Sequence, residues 1–267
     1  MSRIIIFGCS FTQYGWPTWA NILGYDYDTE YHNFAVPGLG NVGIMHRVLE
    51  ADAKLKFTKD DKIFILWSSW SREDRVRDCN WIGTGSVFNS GNPEYNNYFI
   101  KRYWNMDNDT VKNASAIIAV NKMYKDLIVW QGTAFELGVT EAANTKRKSS
   151  SRKLFDLYAS QLPELPYHCF ERDIHVDRPF GVVQDGHPDI IQHMEILQEF
   201  IYPAIGKQLK QTTIDKFTAL HNDVCNKVVV ISKINTEKTI EIVETIYKHS
   251  YPDIYKNCKN HYRLIDD

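Results

Sequence analysis

No paired cysteines, no long apolar run and no excess of one charge mark this chain, and each absence closes off a class of protein. The 5 cysteines (Cys9, Cys79, Cys169, Cys225 and Cys258) are scattered, odd in number and never in a C-x-x-C arrangement. Neither a zinc site nor a disulfide framework is indicated, and free thiols in a reducing compartment are the simpler expectation. A formal net charge of -2 gives no reason to expect a nucleic-acid or membrane-surface partner. Basic residues gather at Lys146-Arg147-Lys148, but Ser149-Ser150-Ser151 follows, the pattern of a solvated loop. No apolar stretch approaches the length that spans a bilayer. Between Arg3 and Gly8 stand only Ile4, Ile5, Ile6 and Phe7, too few for a secretory leader. The expected location is a cytoplasm.

What remains is a chain of 267 residues, 43% of them hydrophobic, long enough to bury a large core. Arg3 to Phe7 is a short apolar run of the kind buried on both faces of a sheet. Trp16 to Gly24 reads as a helix with Pro17 in its first turn, and Tyr31 to Val36 as a second strand closed by Pro37-Gly38. Asn41 to Ala53 carries Val42, Met45, Val48 and Leu49 at helical spacing, and Lys62 to Trp67 is a third buried strand. Strand and helix in strict alternation imply a parallel sheet with right-handed crossovers. Ligands of such sheets bind outside the carboxyl ends of the strands. Here those ends are Gly8-Cys9-Ser10, Pro37-Gly38 and Ser68-Ser69, three small or polar turns on one edge.

Farther along, Trp81 to Tyr98 looks like a long loop, and Val111 to Leu137 like one long helix with Ile117, Val120, Met123, Tyr124, Leu127 and Trp130 on a face. Arg152 to Leu162 reads as a shorter helix. Pro188 to Lys210 reads as another, with Pro203 placed to kink it. Lys227 to Ile234 is a strand candidate, followed by a helix from Glu237 to Tyr247. There is no internal repeat and no low-complexity linker.

Ser10 is the candidate nucleophile. A serine in a strand-end turn suits an alkoxide-like nucleophile and offers its own N–H to an oxyanion. Capping of the next helix by Ser10 or Thr12 is the competing role. A serine also needs a base and an acid to orient it. Gln184-Asp185-Gly186-His187-Pro188-Asp189 supplies His187 and Asp185 just before a helix, with His193 as the reserve base. Helix capping by Asp185 is the alternative there. Arg72, just past the third strand, is expected to pair with Glu73, Asp74 or Asp185 rather than to bind substrate.

In this order the pieces resemble the SGNH (GDSL-like) hydrolase family. Gly8-Cys9-Ser10-Phe11-Thr12 is similar to its first block, with Cys9 in place of the usual aspartate. Asn33-Phe34-Ala35-Val36-Pro37-Gly38 is similar to the second, N-x-G-x-x-G, which makes Gly38 the oxyanion glycine, with Gly40 or Asn41 in another register. Ile65-Leu66-Trp67-Ser68-Ser69 falls at the third, G-x-N-D, and His187 at the last histidine. The third block lacks the family's asparagine, so Ser69 (or Ser68) has to supply that donor. The last block is one residue short, which puts Gln184 at the strict aspartate position. Trp67 to Asp74 resembles a variant third block of SGNH-like proteins from tailed phages, which implies a viral source and a host cytoplasm or virion.

The resemblance implies a three-layer α/β/α sandwich with a central, mainly parallel sheet of flavodoxin-like type. The hydrolase domain is expected over 1–210 with an insertion at about 75–180, and a C-terminal extension over 211–267. The implied activity is a serine esterase or deacylase with Ser10, His187 and Asp185 as triad. The Ser10 N–H, the Gly38 N–H and the Ser69 hydroxyl form the oxyanion hole, with no metal or organic cofactor. An O-acylated carbohydrate, gripped by the aromatic stretch from Trp81 to Trp104, is the expected substrate. The rivals are a non-catalytic binding or virion module that keeps the fold, and an acyltransferase with the same triad.

Overall fold

A computed structural model of the protein describes residues 3–77, 80–88, 95–133, 156–165, 187–231 and 247–261. In chain order the elements are β1 (Ile4–Phe7), α1 (Trp19–Tyr27), β2 (Tyr31–Asn33), α2 (Asn41–Leu55), β3 (Lys62–Trp67), β4 (Arg72–Arg77), β5 (Asn80–Ser86), α3 (Asn97–Tyr103), α4 (Met106–Tyr124) and β6 (Ile128–Thr133). After these come α5 (Ile190–Ile196), α6 (Gln211–Ile231), α7 (Pro252–Tyr255) and β7 (Cys258–Asn260). Five strands form one sheet in the order β6-β3-β1-β2-β7, every neighbouring pair parallel, while β4 and β5 form a separate antiparallel hairpin.

The alternation of side chains along the central strands builds a core on each face. Ile4 and Ile6 of β1 and Phe64 and Leu66 of β3 join α1, α5 and α6 through Trp19, Leu23, Ile196 and Phe217. Ile5, Phe7, Ile63, Ile65 and Trp67 join α2 and α4 through Ile44, Val48, Ile117 and Val120. Helices therefore cover both faces of a parallel sheet, which explains why β1, and β3 from Ile63 onward, are apolar. Each of these buried side chains stabilises the fold by about 1.5–3 kcal/mol relative to exposure.

β1, β2, α2 and β3 form where the sequence predicts them, with small shifts at the ends. α1 begins at Trp19 because Thr18 is its N-cap: the Thr18 N–H donates to Asn21 Oδ1 at 2.9 Å and its hydroxyl donates to Thr12 O at 2.7 Å. Gly24 does not end this helix. It packs beneath Tyr31, whose Cδ1 a Cβ on Gly24 would approach to 2.3 Å, and the helix ends at Asp28 in the left-handed conformation.

Three expectations are corrected and one strand is unforeseen. The long helix predicted over Val111–Leu137 stops at Tyr124, and Ile128–Thr133 is instead strand β6 beside β3. Ile63 pairs with Ile128 but Phe64 with Trp130, so Val129 is bulged out and the period-2 signal is broken there. Trp81 to Ser86 is a strand of the hairpin, not part of a loop. Lys227 to Ile231 belongs to α6, a helix already running from Gln211, rather than to a strand; β-branching lowers helix propensity only by tenths of a kcal/mol per residue. Finally, β7 follows no apolar run. It joins the sheet next to β2, with Cys258 packed against the core and Lys259 Nζ paired with Glu30 Oε2.

The segment from Gln211 onward shares the main core, to which it gives Phe217, Leu220, Tyr247 and Ile254. Asp26 on α1 anchors it, accepting from Tyr202 Oη at 2.7 Å and from Thr213 Oγ1 at 2.6 Å. Between α5 and Tyr202–Ala204 the helix carries a π-helical stretch, Leu197–Ile201, in which the Tyr202 N–H reaches Leu197 O. Pro203, with no N–H to donate, lies immediately after it. No helix among the described residues is long and apolar enough to cross a membrane.

Candidate active site

The three turns predicted to converge are tied together at the carboxyl edge of the sheet. In the first, Thr12 and Gln13 donate their N–H groups to Cys9 O at 2.9 and 3.1 Å, closing a single tight turn around Ser10. Gly8 is required there, since a Cβ would stand 2.1 Å from Thr12 Oγ1. Ser10 is 5% exposed. Neither it nor Thr12 caps α1, because Thr18 does. No hydrogen bond between described residues engages the Ser10 hydroxyl.

The second turn is type II: Leu39 N–H donates to Val36 O at 3.1 Å, with Pro37 and Gly38 at the two central positions. Gly38 has φ +79, which that turn demands of its third residue and which a side chain would strain. Val36 N–H donates to Gly8 O at 3.2 Å, and Asn33 Nδ2 to Thr12 O at 3.4 Å, so the first two turns are joined. The alternatives to Gly38 are spent elsewhere. Gly40 N–H donates to Asp74 Oδ1 at 2.6 Å. Asn41, fully buried, accepts from Ser68 N at 2.6 Å and donates to Ser68 O and Asn113 Oδ1, both at 2.9 Å.

In the third turn the two serines differ. Ser68 Oγ is buried without a hydrogen-bond partner among the described residues. Ser69 Oγ lies 3.0 Å from Ser71 Oγ, which in turn lies 2.9 Å from Ser86 Oγ on β5. Ser69 therefore begins a chain of hydroxyls, and its one proton has two possible directions. Arg72 Nη1 donates to Leu39 O at 3.1 Å, a bond to a backbone carbonyl that ties this turn to the second.

His187 comes to the first turn from the far end of the sequence. Its ring stacks on Tyr14 at 3.9 Å between centroids and meets Phe11 edge-on at 5.5 Å. Phe11 is the neighbour of Ser10, so the predicted base and nucleophile share one corner of the molecule. Asp185 and Gln184 lie outside the described residues. Asp189, not Asp185, caps α5, with Gln192 N–H donating to its Oδ1 at 2.9 Å. The reserve base His193 is completely buried, and neither ring nitrogen has a partner among the described residues. Burial, and after it the charge of His187, holds His193 down to about 3, so its imidazole is neutral.

Of the aromatic stretch from Trp81 to Trp104, Trp81 is committed to α2: it stacks on His46 and donates to Glu50 Oε1 at 2.8 Å. Phe88, Tyr98 and Tyr103 remain exposed. Sequence reasoning passed over Asp109, in the first turn of α4. Burial, then the nearby Glu73 carboxylate, pushes its carboxyl up to about 6. The hydrogen bonds of Asn33, Asn41 and Asp74 that tie the turns together reach partners distant in sequence and were not foreseen. No group of three metal-ligating side chains occurs among the described residues. No family model, curated protein or solved structure matches the chain.

Proposed function

We propose that the protein is a serine ester hydrolase of SGNH type that works through an acyl-enzyme on Ser10. The observation that carries the reading is His187 packed on Phe11 and Tyr14, beside the strand-end serine. Ser10 Oγ attacks the ester carbonyl carbon while His187 takes its proton. The oxyanion is held by the N–H groups of Ser10 and Gly38 and by the Ser69 hydroxyl. Collapse breaks the bond to the alcohol, which leaves with the proton from His187, and water then repeats the sequence to free the acid. Asp185 orients the imidazole. The exposed rings of Phe88, Tyr98 and Tyr103 favour a flat or sugar-like alcohol portion.

The test is hydrolysis of a short-chain aryl ester, with Ser10→Ala beside the wild type. A loss of roughly 10³-fold or more supports the mechanism; equal rates end it. A second reading, a module that keeps the fold without turnover, is favoured by the engagement of Ser69 with Ser71. A serine-directed fluorophosphonate separates the two: stoichiometric labelling of Ser10 excludes the inert module, and the absence of labelling at every pH supports it.

A further inference from the structure

The β4–β5 hairpin is laid across the second turn so closely that side chains are excluded. A Cβ on Gly83 would stand 1.6 Å from Pro37 O, and one on Gly38 would stand 2.6 Å from Gly83 O. Gly85 N–H donates to Gly38 O at 3.1 Å. On the other side of the turn, Asp74 of β4 accepts from Gly40 N at 2.6 Å and from Gly43 N at 2.7 Å.

Gly40 is the N-cap of α2 and Gly43 its third residue. In a capping box those two N–H groups are satisfied by two side chains of the helix itself. A glycine cap has no side chain to offer, and here one carboxylate from another element takes both donors. Its negative charge also suits the positive end of the α2 dipole. Asn41, between the two glycines, is locked onto the Ser68 backbone, so the start of α2 is fixed against both the hairpin and the third turn.

We infer that Asp74 is a positioning residue for the oxyanion hole: through Gly40 and Gly43 it sets the backbone from which the Gly38 N–H is aimed. The inference rests on the reading of Ser10 as nucleophile and Gly38 as oxyanion donor. Asp74→Asn keeps the size but places an NH2 group against an N–H, so only one of the two bonds survives. The expected result is a kcat about tenfold or more below wild type with KM within about twofold, measured on the aryl ester well below the unfolding temperature. Amide exchange at Gly40 and Gly43 should quicken. Gly24→Ala, which crowds Tyr31 away from the turns, serves as a destabilised control that keeps its kcat.

A wild-type kcat in Asp74→Asn overturns the inference and leaves the Ser10 reading in place. A wild type that neither hydrolyses the ester nor takes the fluorophosphonate overturns both. If Asp74→Asn does not fold, Asp74→Glu decides by the same kcat and KM criterion, since it keeps the charge but shifts the carboxylate off Gly40 and Gly43 by one methylene.

Discussion

The two halves of the candidate site are built by different forces. The oxyanion half is backbone held by directional bonds from distant residues: Asn41 grips both polar groups of Ser68, Asp74 grips Gly40 and Gly43, and Asn33 reaches Thr12. In the base half, the proposed base His187 meets the rings of Phe11 and Tyr14 and lies near a buried, neutral His193. Hydrogen bonds fix a group to within a few tenths of an ångström, and stacked rings slide. On the proposed reading, the Gly38 side is a receptor for developing charge fixed by directional bonds, and His187 is a base seated among aromatic rings.

Substitutions on each side sharpen or break that contrast. The largest expected effect is His187→Ala, a fall of roughly 10³-fold or more in kcat with little change in thermal midpoint, read by steady-state kinetics and calorimetry. An equal loss of stability would show that the base half is structural as well. Next comes acid. His193 is neutral when folded and titrates near the ordinary 6.5 when unfolded, so its contribution is full above that pH and is lost as pH falls toward about 3. Urea unfolding should show about 3 kcal/mol less stability at pH 4 than at pH 7 from this group, a difference that His193→Met removes. Asn41→Ala leaves the Ser68 N–H and C=O buried without their partner and should cost about 2–4 kcal/mol, with kcat falling in step. Tyr14→Leu is the smallest: a loss of about 1 kcal/mol or less in stability and a several-fold drop in kcat. A rate loss as large as that of Asn41→Ala would put the two halves on the same footing.

The central strands were legible because burial on both faces demands a continuous apolar run, and Ile4–Phe7 and Ile63–Trp67 supply one. α2 was legible from its 3.6-residue spacing. β6 was not, because the bulge at Val129 breaks the alternation and lets Leu127 and Trp130 pass for helix positions. β5 was not, because its glycines look like a loop, whereas Gly83 is there for the crossing with Pro37. The meeting of three turns followed from element order alone, and Phe11, Tyr14 and His187 do share a corner. What held the turns together was invisible, since a carboxylate on β4 capping α2 leaves no mark near α2 itself. Arg72 was read as the partner of a nearby acid, and the bond it shows goes to the Leu39 carbonyl; Asp74 was weighed only as its counter-ion.

The pairing of β7 with β2 also bears on how the molecule comes together in time. Tyr31–Asn33 must keep its outer row of N–H and C=O groups unmatched until Cys258–Asn260, separated from it by most of the chain, arrives to cover them. Such non-local closure is slow, and an open strand edge is a template for another chain in the meantime. The same late strand brings His261, whose Nε2 lies 2.9 Å from Nδ1 of His32, so the seam is sealed by an imidazole pair that shares a single proton between facing nitrogens.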